Sequence, residues 1–285
     1  GGAYEQIPSL GLGQRWTPQL NSRNMMKVVL CVWIEPYIEN DLSFCVWPVH
    51  TPTTSKEVLT LSASTSPLPY TGNKSCIVNT ILSVMPKHTV YIDPCMGSAE
   101  VFFRKPRAEK EILNDYNGDL VNLFRVIQNN EKLAYLLGRL YLSINGELAF
   151  KQNKDRLKGV PNILDDVIET SQIFYDASWE DIQNAAAFLE NQVYSFSSTG
   201  QTFGIARRDM SQRLPRLMSA YNRIRDAIIL HRDYKDVITY AACPGSFILL
   251  DPPYKGTEDM YSKANFDIEQ HDILFSFMSE VNQQH

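Results

Sequence analysis

The chain has little of what marks secreted, membrane-spanning or metal-binding proteins. Its five cysteines (Cys31, Cys45, Cys76, Cys95 and Cys243) are an odd number without metal-ligand spacing. They read as reduced thiols of a cytosolic protein, not as a disulfide framework. The longest apolar run near the start, Val28 to Ile34, is far shorter than the ~20 residues that a bilayer requires, and it lacks the flanks of a signal peptide. Positive charge is not in excess either: 27 Lys and Arg stand against 32 Asp and Glu, a formal net charge of −5. That balance excludes a generally basic nucleic-acid coat, so any such contact has to come from a local basic surface. No internal repeat is present. What remains, 44% apolar and 21% charged over 285 residues, is an ordinary globular composition with room for one large domain and an inserted module.

From Pro67 onward the pattern alternates strand and helix, as in an open parallel sheet. Strands are expected at His88 to Asp93, Glu111 to Asn114, Ala227 to His231 and Ser246 to Leu250. Helices are expected at Ser98 to Arg107 and Asp119 to Gln128. Between Asn129 and Arg225 helical signals take over; Ser178-Trp-Glu-Asp181 reads as a capping box opening a helix that runs to Tyr194. Asp267 begins a second such signature, ahead of a last helix. Residues 1–66 carry three of the four tryptophans, a possible strand at Lys27 to Ile34 and a Ser/Thr/Pro-rich stretch from Thr51. They are compatible with a small accessory domain and equally with a disordered extension.

The most informative residues are Asp251-Pro252-Pro253-Tyr254. A buried strand delivers a carboxylate, and two prolines then fix φ and remove two backbone donors, which leaves their carbonyls as unopposed acceptors. An aromatic ring follows. One charged acceptor, a rigid row of carbonyls and a flat ring suit a planar heterocycle bearing an exocyclic amino group; the plainer alternative is a tight turn.

This tetrapeptide resembles the catalytic motif of amino-methyltransferases that modify adenine in DNA with S-adenosylmethionine. Three further segments resemble the other motifs of the Dam-type (D12 class) adenine methyltransferases, in that family's order. They are Pro67-Leu-Pro-Tyr-Thr-Gly-Asn-Lys74, the segment from Tyr91 to Phe103 around Asp93-Pro-Cys-Met-Gly97, and Ile112-Leu-Asn-Asp-Tyr-Asn-Gly-Asp-Leu120. The resemblance implies an α/β fold: a Rossmann-like methyltransferase sheet from residues 67–128 and 226–285, interrupted by a helical target-recognition module at 129–225. It implies S-adenosylmethionine as methyl donor and no metal. Tyr70 would lie against the cofactor, Lys74 would hold its methionine carboxylate, Asp93 and Gly97 would form the loop beneath it, and Asp115 would accept both ribose hydroxyls. Asp233 would meet its adenine, or else cap a helix. Asn114, Asn117 and Asp119 would cap the helix after the second strand. Two departures stand in the cofactor loop: Ala99 where the family has a second glycine, a mild change, and Cys95 where it usually has phenylalanine.

In the inserted module, the stretch Tyr194 to Gly204 resembles the Dam-type recognition loop. That makes Tyr194 and Phe196, with Arg207 and Arg208, the candidate DNA contacts. Arg213, Arg216, Arg223 and Arg225 extend the basic strip, although Arg223 and Arg225 read more readily as a solvated helix face. The expected partner is double-stranded DNA, with a cognate restriction endonuclease possible, and the expected state a cytoplasmic monomer. An RNA base methyltransferase and a catalytically weak DNA- or cofactor-binding protein are the alternatives. Only a loop and one helix follow Tyr254, so the closing strands of such a sheet are expected to be missing and Ser246 to Leu250 to have an uncovered edge.

Overall fold

The structure, a computed structural model, describes residues 27–30, 65–165, 178–206, 208–253 and 268–284. In chain order the elements begin with strand β1 (Lys27–Leu30), helix α1 (Val78–Val84), strand β2 (Val90–Asp93), helix α2 (Glu100–Arg104), strand β3 (Lys110–Asn114) and helix α3 (Gly118–Gln128). Helices α4 (Asn130–Tyr141), α5 (Glu147–Lys158), α6 (Trp179–Tyr194) and α7 (Leu214–Ile224) follow. Strand β4 (Ile228–Leu230), helix α8 (Tyr234–Ala241), strand β5 (Ser246–Leu250) and helix α9 (Ile268–Gln284) complete the set. The expected strands and helices are present, within a few residues. Helix α2 stops earlier than its apolar pattern suggests. Lys105 is extended (φ −73°, ψ 155°) because the following Pro106 disfavours helical backbone in the residue before it. The capping box opening α6 is complete: Asp181 N–H donates to Ser178 Oγ at 3.2 Å and Ser178 N–H to Asp181 Oδ2 at 2.6 Å. Asp267, the expected cap of α9, lies outside the described residues.

All five strands are parallel, in the order β1-β5-β2-β3-β4. Side chains alternate across the sheet. Tyr91, Leu113, Phe247 and Leu249 face the core shared with α1, α2 and α3, and Ile92, Ile112, Ile248 and Leu250 face α8 and α9. Burial on both faces explains why the strands read as short continuous apolar runs. The expected bare edge on β5 is absent. Lys27 to Leu30 pairs in register with Phe247 to Leu250, so a segment of the N-terminal 66 residues supplies a neighbour for the strand that ends at Asp251.

The helical insertion is not a separate core. Buried residues of α4, α5, α6 and α7 join one apolar cluster with the sheet face. Arg223 of α7 corrects the expectation of a solvated face: it is buried, and its guanidinium bonds both Glu111 oxygens (2.5 and 2.8 Å) and stacks 3.7 Å from the Phe102 ring centroid. Lys105 completes the cluster, 2.6 Å from Glu111 Oε1. Burial works to raise the Glu111 carboxyl, but the bonds from Arg223 and Lys105 hold it below its ordinary value. Arg225, in contrast, is exposed beside Asp226. Arg223→Ala leaves Glu111 with one cationic partner where it had two and opens a gap over Phe102. It should cost about 3–5 kcal/mol in urea unfolding, whereas Arg225→Ala should change stability by less than about 0.5 kcal/mol.

Candidate active site

Strands β2 and β5 are neighbours, yet the chain leaves β2 toward β3 on one side and returns by β5 on the other. Such a reversal opens a crevice at the carboxyl ends of the strands, which is where ligands bind in open parallel sheets. A cleft lies there, lined by residues from the ends of β2, β3, β4 and β5 and from the 70–74 loop. Asp93, Asp115 and Asp251 all line it, together with Tyr70, Lys74, Gly97, Pro252 and Pro253. Tyr254 lies outside the described residues.

The turn between β2 and α2 is tightly wound. Gly97 (φ +48°) donates its N–H to Asp115 Oδ2 at 2.9 Å, and Tyr70 packs so close that its ring lies 3.7 Å from where a Gly97 Cβ would stand. Ala99 has φ +54°. Its substitution for glycine is therefore not mild, since left-handed backbone costs a residue with a Cβ roughly 1–2 kcal/mol. The other Asp115 oxygen accepts the Asn117 N–H at 2.9 Å. Each carboxylate oxygen carries two lone pairs, so these bonds fix the carboxylate and still leave it capacity for hydroxyl donors. Asn117 caps α3, as expected. Asn114 does not cap. Its amide donates to the Pro94 and Arg232 carbonyls (2.8 and 2.9 Å) and accepts the Arg232 N–H at 2.9 Å. This buried side chain thereby ties the ends of β2, β3 and β4 together, a role with no signature in the local sequence.

Electrostatically the cleft is acid-rich. Burial raises Asp93 to about 8 despite a bond from the Tyr91 hydroxyl (2.9 Å), and Asp251 and Asp115 add repulsion. Asp93 Oδ1 has no hydrogen-bond partner among the described residues. Burial also raises Asp115 to about 6, against backbone bonds from Asn117 and Gly97. The Cys95 thiol is pushed well up, first by burial and then by the same carboxylates. Lys74 answers this charge: its ammonium pairs with Asp251 Oδ2 and donates to the Gly72 carbonyl at 2.8 Å.

The remaining expected residues divide. Asp233 caps α8, accepting the Lys235 N–H at 2.9 Å, and does not line the cleft; its neighbours Arg232 and Tyr234 do, as does Tyr116. None of these three was singled out as a cofactor contact, although Tyr116 and Tyr234 directly follow the two expected carboxylates. Tyr194 is 3% exposed, with its hydroxyl 3.0 Å from Ser143 Oγ. It is a core residue of the helical insertion because the last turn of α6 faces inward, and it offers no surface to a nucleic acid. Phe196 is 68% exposed on a loop closed by bonds from Phe196 N–H to Thr202 O and from Gly204 N–H to Tyr194 O (both 2.8 Å). That loop touches the cleft's rim, where the Thr71 hydroxyl donates to Ser198 O at 3.4 Å. Arg208 turns inward to the Val193 carbonyl, and Arg207 lies outside the described residues.

Residues 70–285 match the family described as D12 class N6 adenine-specific DNA methyltransferase. The chain belongs to this family. The chain is 21% identical over 240 residues to modification methylase LlaI of Lactococcus lactis subsp. lactis, covering 78% of this chain and 36% of that protein. It is 25% identical over 236 residues to modification methylase StsI of Streptococcus sanguinis (76% and 34%). To the DNA N-6-adenine-methyltransferase of Escherichia phage P1 it is 23% identical over 232 residues (75% and 28%). The chain thus spans about a third of the length of these proteins.

Membership in the D12 class implies S-adenosylmethionine as the methyl donor, and the donor set of the cleft fits it. A sulfonium cation would be favoured beside the Asp115 and Asp251 carboxylates, and the Lys74 ammonium would complement the carboxylate of the methionine tail. Strand β1 lies outside the matched residues, so the partner of β5 comes from a part of the chain that the D12 motifs do not cover.

A pH dependence follows from Asp93. Its carboxyl ionises near 3.8 when unfolded and near 8 when folded, so unfolding releases a proton between those values and stability falls as pH rises through that window. Asp93→Asn keeps an acceptor for Tyr91 and removes the ionisation. Its thermal stability should exceed that of the parent at pH 8, with the difference shrinking toward pH 4. Parallel melting curves across that range would expose the assignment as wrong.

Proposed function

We propose that this chain is a site-specific adenine-N6 methyltransferase that acts on double-stranded DNA with S-adenosylmethionine as donor. The observation that carries the reading is the opening of Asp251-Pro252-Pro253 into the cleft that also holds Lys74, Asp93 and Asp115. When bound, S-adenosylmethionine supplies an electrophilic methyl group on sulfonium sulfur. The chain's own residues supply the rest. The adenine amino lone pair is delocalised into the ring and is a poor nucleophile. Bonds from that amino group to the Asp251 carboxylate and the Pro252 carbonyl localise it, and they strengthen as the nitrogen pyramidalises, which makes them catalytic. The two prolines hold these acceptors rigid, so little reorganisation is needed. Asp251 need not be a strong base, because the methylated ammonium sheds its proton readily. Asp115 would anchor the ribose, Lys74 the methionine carboxylate, and Tyr254 would stack on the flipped base, since an adenine inside a duplex is out of reach.

The helical insertion is the proposed DNA reader. Support comes from the exposed Phe196 loop at the cleft's rim and from the grouping of Arg208, Arg213 and Arg216. Arg213 is lowered by burial and then by its two arginine neighbours, so these cations stand close enough to repel. A phosphate between them would relieve that repulsion. Two relatives are named modification methylases; a cognate endonuclease as partner and the cytoplasm as the site of action belong to the same proposal.

The test is transfer of labelled methyl groups to DNA, followed by mapping of modified adenines. Asp251→Ala should keep measurable cofactor affinity and lose turnover by several orders of magnitude; near-normal turnover would refute its role. Asp115→Ala should weaken cofactor binding by roughly 1–3 kcal/mol in calorimetry, and unchanged affinity would return Asp115 to a structural role. Arg216→Ala should weaken DNA binding and reduce the salt slope by about 1 if the contact is to phosphate. An unaltered slope and affinity would leave Arg216 as ordinary surface.

A further inference from the structure

The turn that carries Asp115 is braced by a residue of the helical insertion. Asn162, in the stretch after α5, accepts the Gly118 N–H on Oδ1 at 2.7 Å and donates from Nδ2 to the Tyr116 carbonyl at 2.9 Å. One amide thus closes on a donor and an acceptor of the same turn, which fixes its own orientation. His231, buried directly after β4, adds a second brace: its Nε2 lies 3.1 Å from the Tyr116 carbonyl and 3.2 Å from Asn162 Oδ1. Both neighbours are acceptors, so Nε2 carries a hydrogen. Asn162 is kept in place by its own segment. Three residues on, the Asp165 N–H donates to the His231 carbonyl at 2.8 Å and Asp165 Oδ2 accepts the His231 N–H at 3.1 Å. Gly118 shows what this brace requires. A Cβ there would stand 2.8 Å from Asn162 Oδ1 and 2.9 Å from His231 Cε1, nearer than a side chain can approach. Glycine is otherwise a poor helix residue, and its place at the start of α3 is explained by the two side chains that close over it.

We propose that Asn162 is a positioning residue for the cofactor: by holding the Tyr116 carbonyl and the Gly118 N–H it sets the orientation in which Asp115 meets the ribose hydroxyls. The proposal rests on the methyltransferase reading and adds to it a residue of the helical insertion. Asn162 does not line the cleft, so it acts through the turn and not on the ligand. The path is short. Asp115 takes one N–H bond from Gly97 and one from Asn117, and Asn117 stands between the two backbone groups that Asn162 grips. A turn that shifts therefore carries the carboxylate with it. Two hydroxyls on adjacent ribose carbons are accepted together only by a carboxylate held at one angle, and a carboxylate already held there binds with less loss of freedom. A purely structural Asn162 predicts another pattern: lower stability, with any change in cofactor affinity independent of Asp115.

The test is a double-mutant cycle on the full chain, read by calorimetry with S-adenosylhomocysteine. Asn162→Ala should raise the dissociation constant about tenfold, an ordinary size for groups acting in one network. In an Asp115→Ala background the same change should raise it by less than about twofold, because the carboxylate that Asn162 orients is gone. Gly118→Ala keeps Asn162 but pushes it off the turn. It should weaken binding as much as Asn162→Ala does, although alanine is the better helix residue, and it takes the place of Asn162→Ala in the cycle if that variant does not fold. Unchanged affinity in the single variant, or an equal loss with and without Asp115, would overturn the proposal. An Asp115→Ala protein that binds as tightly as the parent would remove the ribose contact and this proposal together, and leave methyl transfer to the labelled-DNA assay. Failure of the parent chain to bind S-adenosylhomocysteine at all would instead sink the methyltransferase reading, and this proposal with it.

Discussion

Everything at the cleft depends on the parallel pairing of β2 with β5. Ile92 faces Ile248 across that ladder, so Asp93 and Asp251, far apart in sequence, leave neighbouring strand ends into the same crevice. Local geometry cannot create that proximity; only a sheet that runs outward to β4 and then returns can do so. The cost is a long excursion of chain between two adjacent strands. The helical insertion occupies that excursion and packs onto the sheet face it leaves behind, so catalytic half, cofactor half and proposed DNA reader share one core.

The attachment of the insertion is polar at one point. Glu111 is the second residue of β3, and a carboxylate buried there requires a counter-charge. Arg223 and Lys105 supply it from α7 and from the end of α2. A buried ion pair of this kind adds less to net stability than its contacts suggest, because desolvation offsets most of the attraction. It nevertheless sets register: α7 cannot slide along the sheet without taking Arg223, one of its two counter-charges, away from Glu111. Arg216, exposed on the same helix, is thereby held at a fixed place relative to the sheet.

Strands β2, β3 and β5 were legible in the sequence because each is buried along most of its length and so appears as a short apolar run that stops at Asp or Asn beside a turn. The cleft was legible for the same reason, since its carboxylates sit where strand patterns stop. What could not be read depends on partners distant in the chain. The run of arginines from Arg207 to Arg225 carries no local sign that Arg223 meets Glu111, 112 positions earlier. Tyr194 looks like part of a recognition loop until the inward face of α6 buries it. Asp233 satisfies equally well the pattern of a ligand carboxylate and of a helix cap, and in the structure it caps α8. Lys27 to Ile34 has strand composition, but nothing in it names β5 as its partner.

The partnership of β1 with β5 bears directly on the chemistry. An edge strand frays and moves more than a central one because half of its backbone groups face solvent. With β1 on one side and β2 on the other, β5 is an interior strand, and the backbone that leads into Asp251 is held from both directions. Electrostatic catalysis by fixed acceptors depends on that rigidity: a carbonyl and a carboxylate that must reorganise to meet the developing positive charge forfeit much of their advantage. Two prolines stiffen the turn from within, and two parallel neighbours stiffen the strand that feeds it.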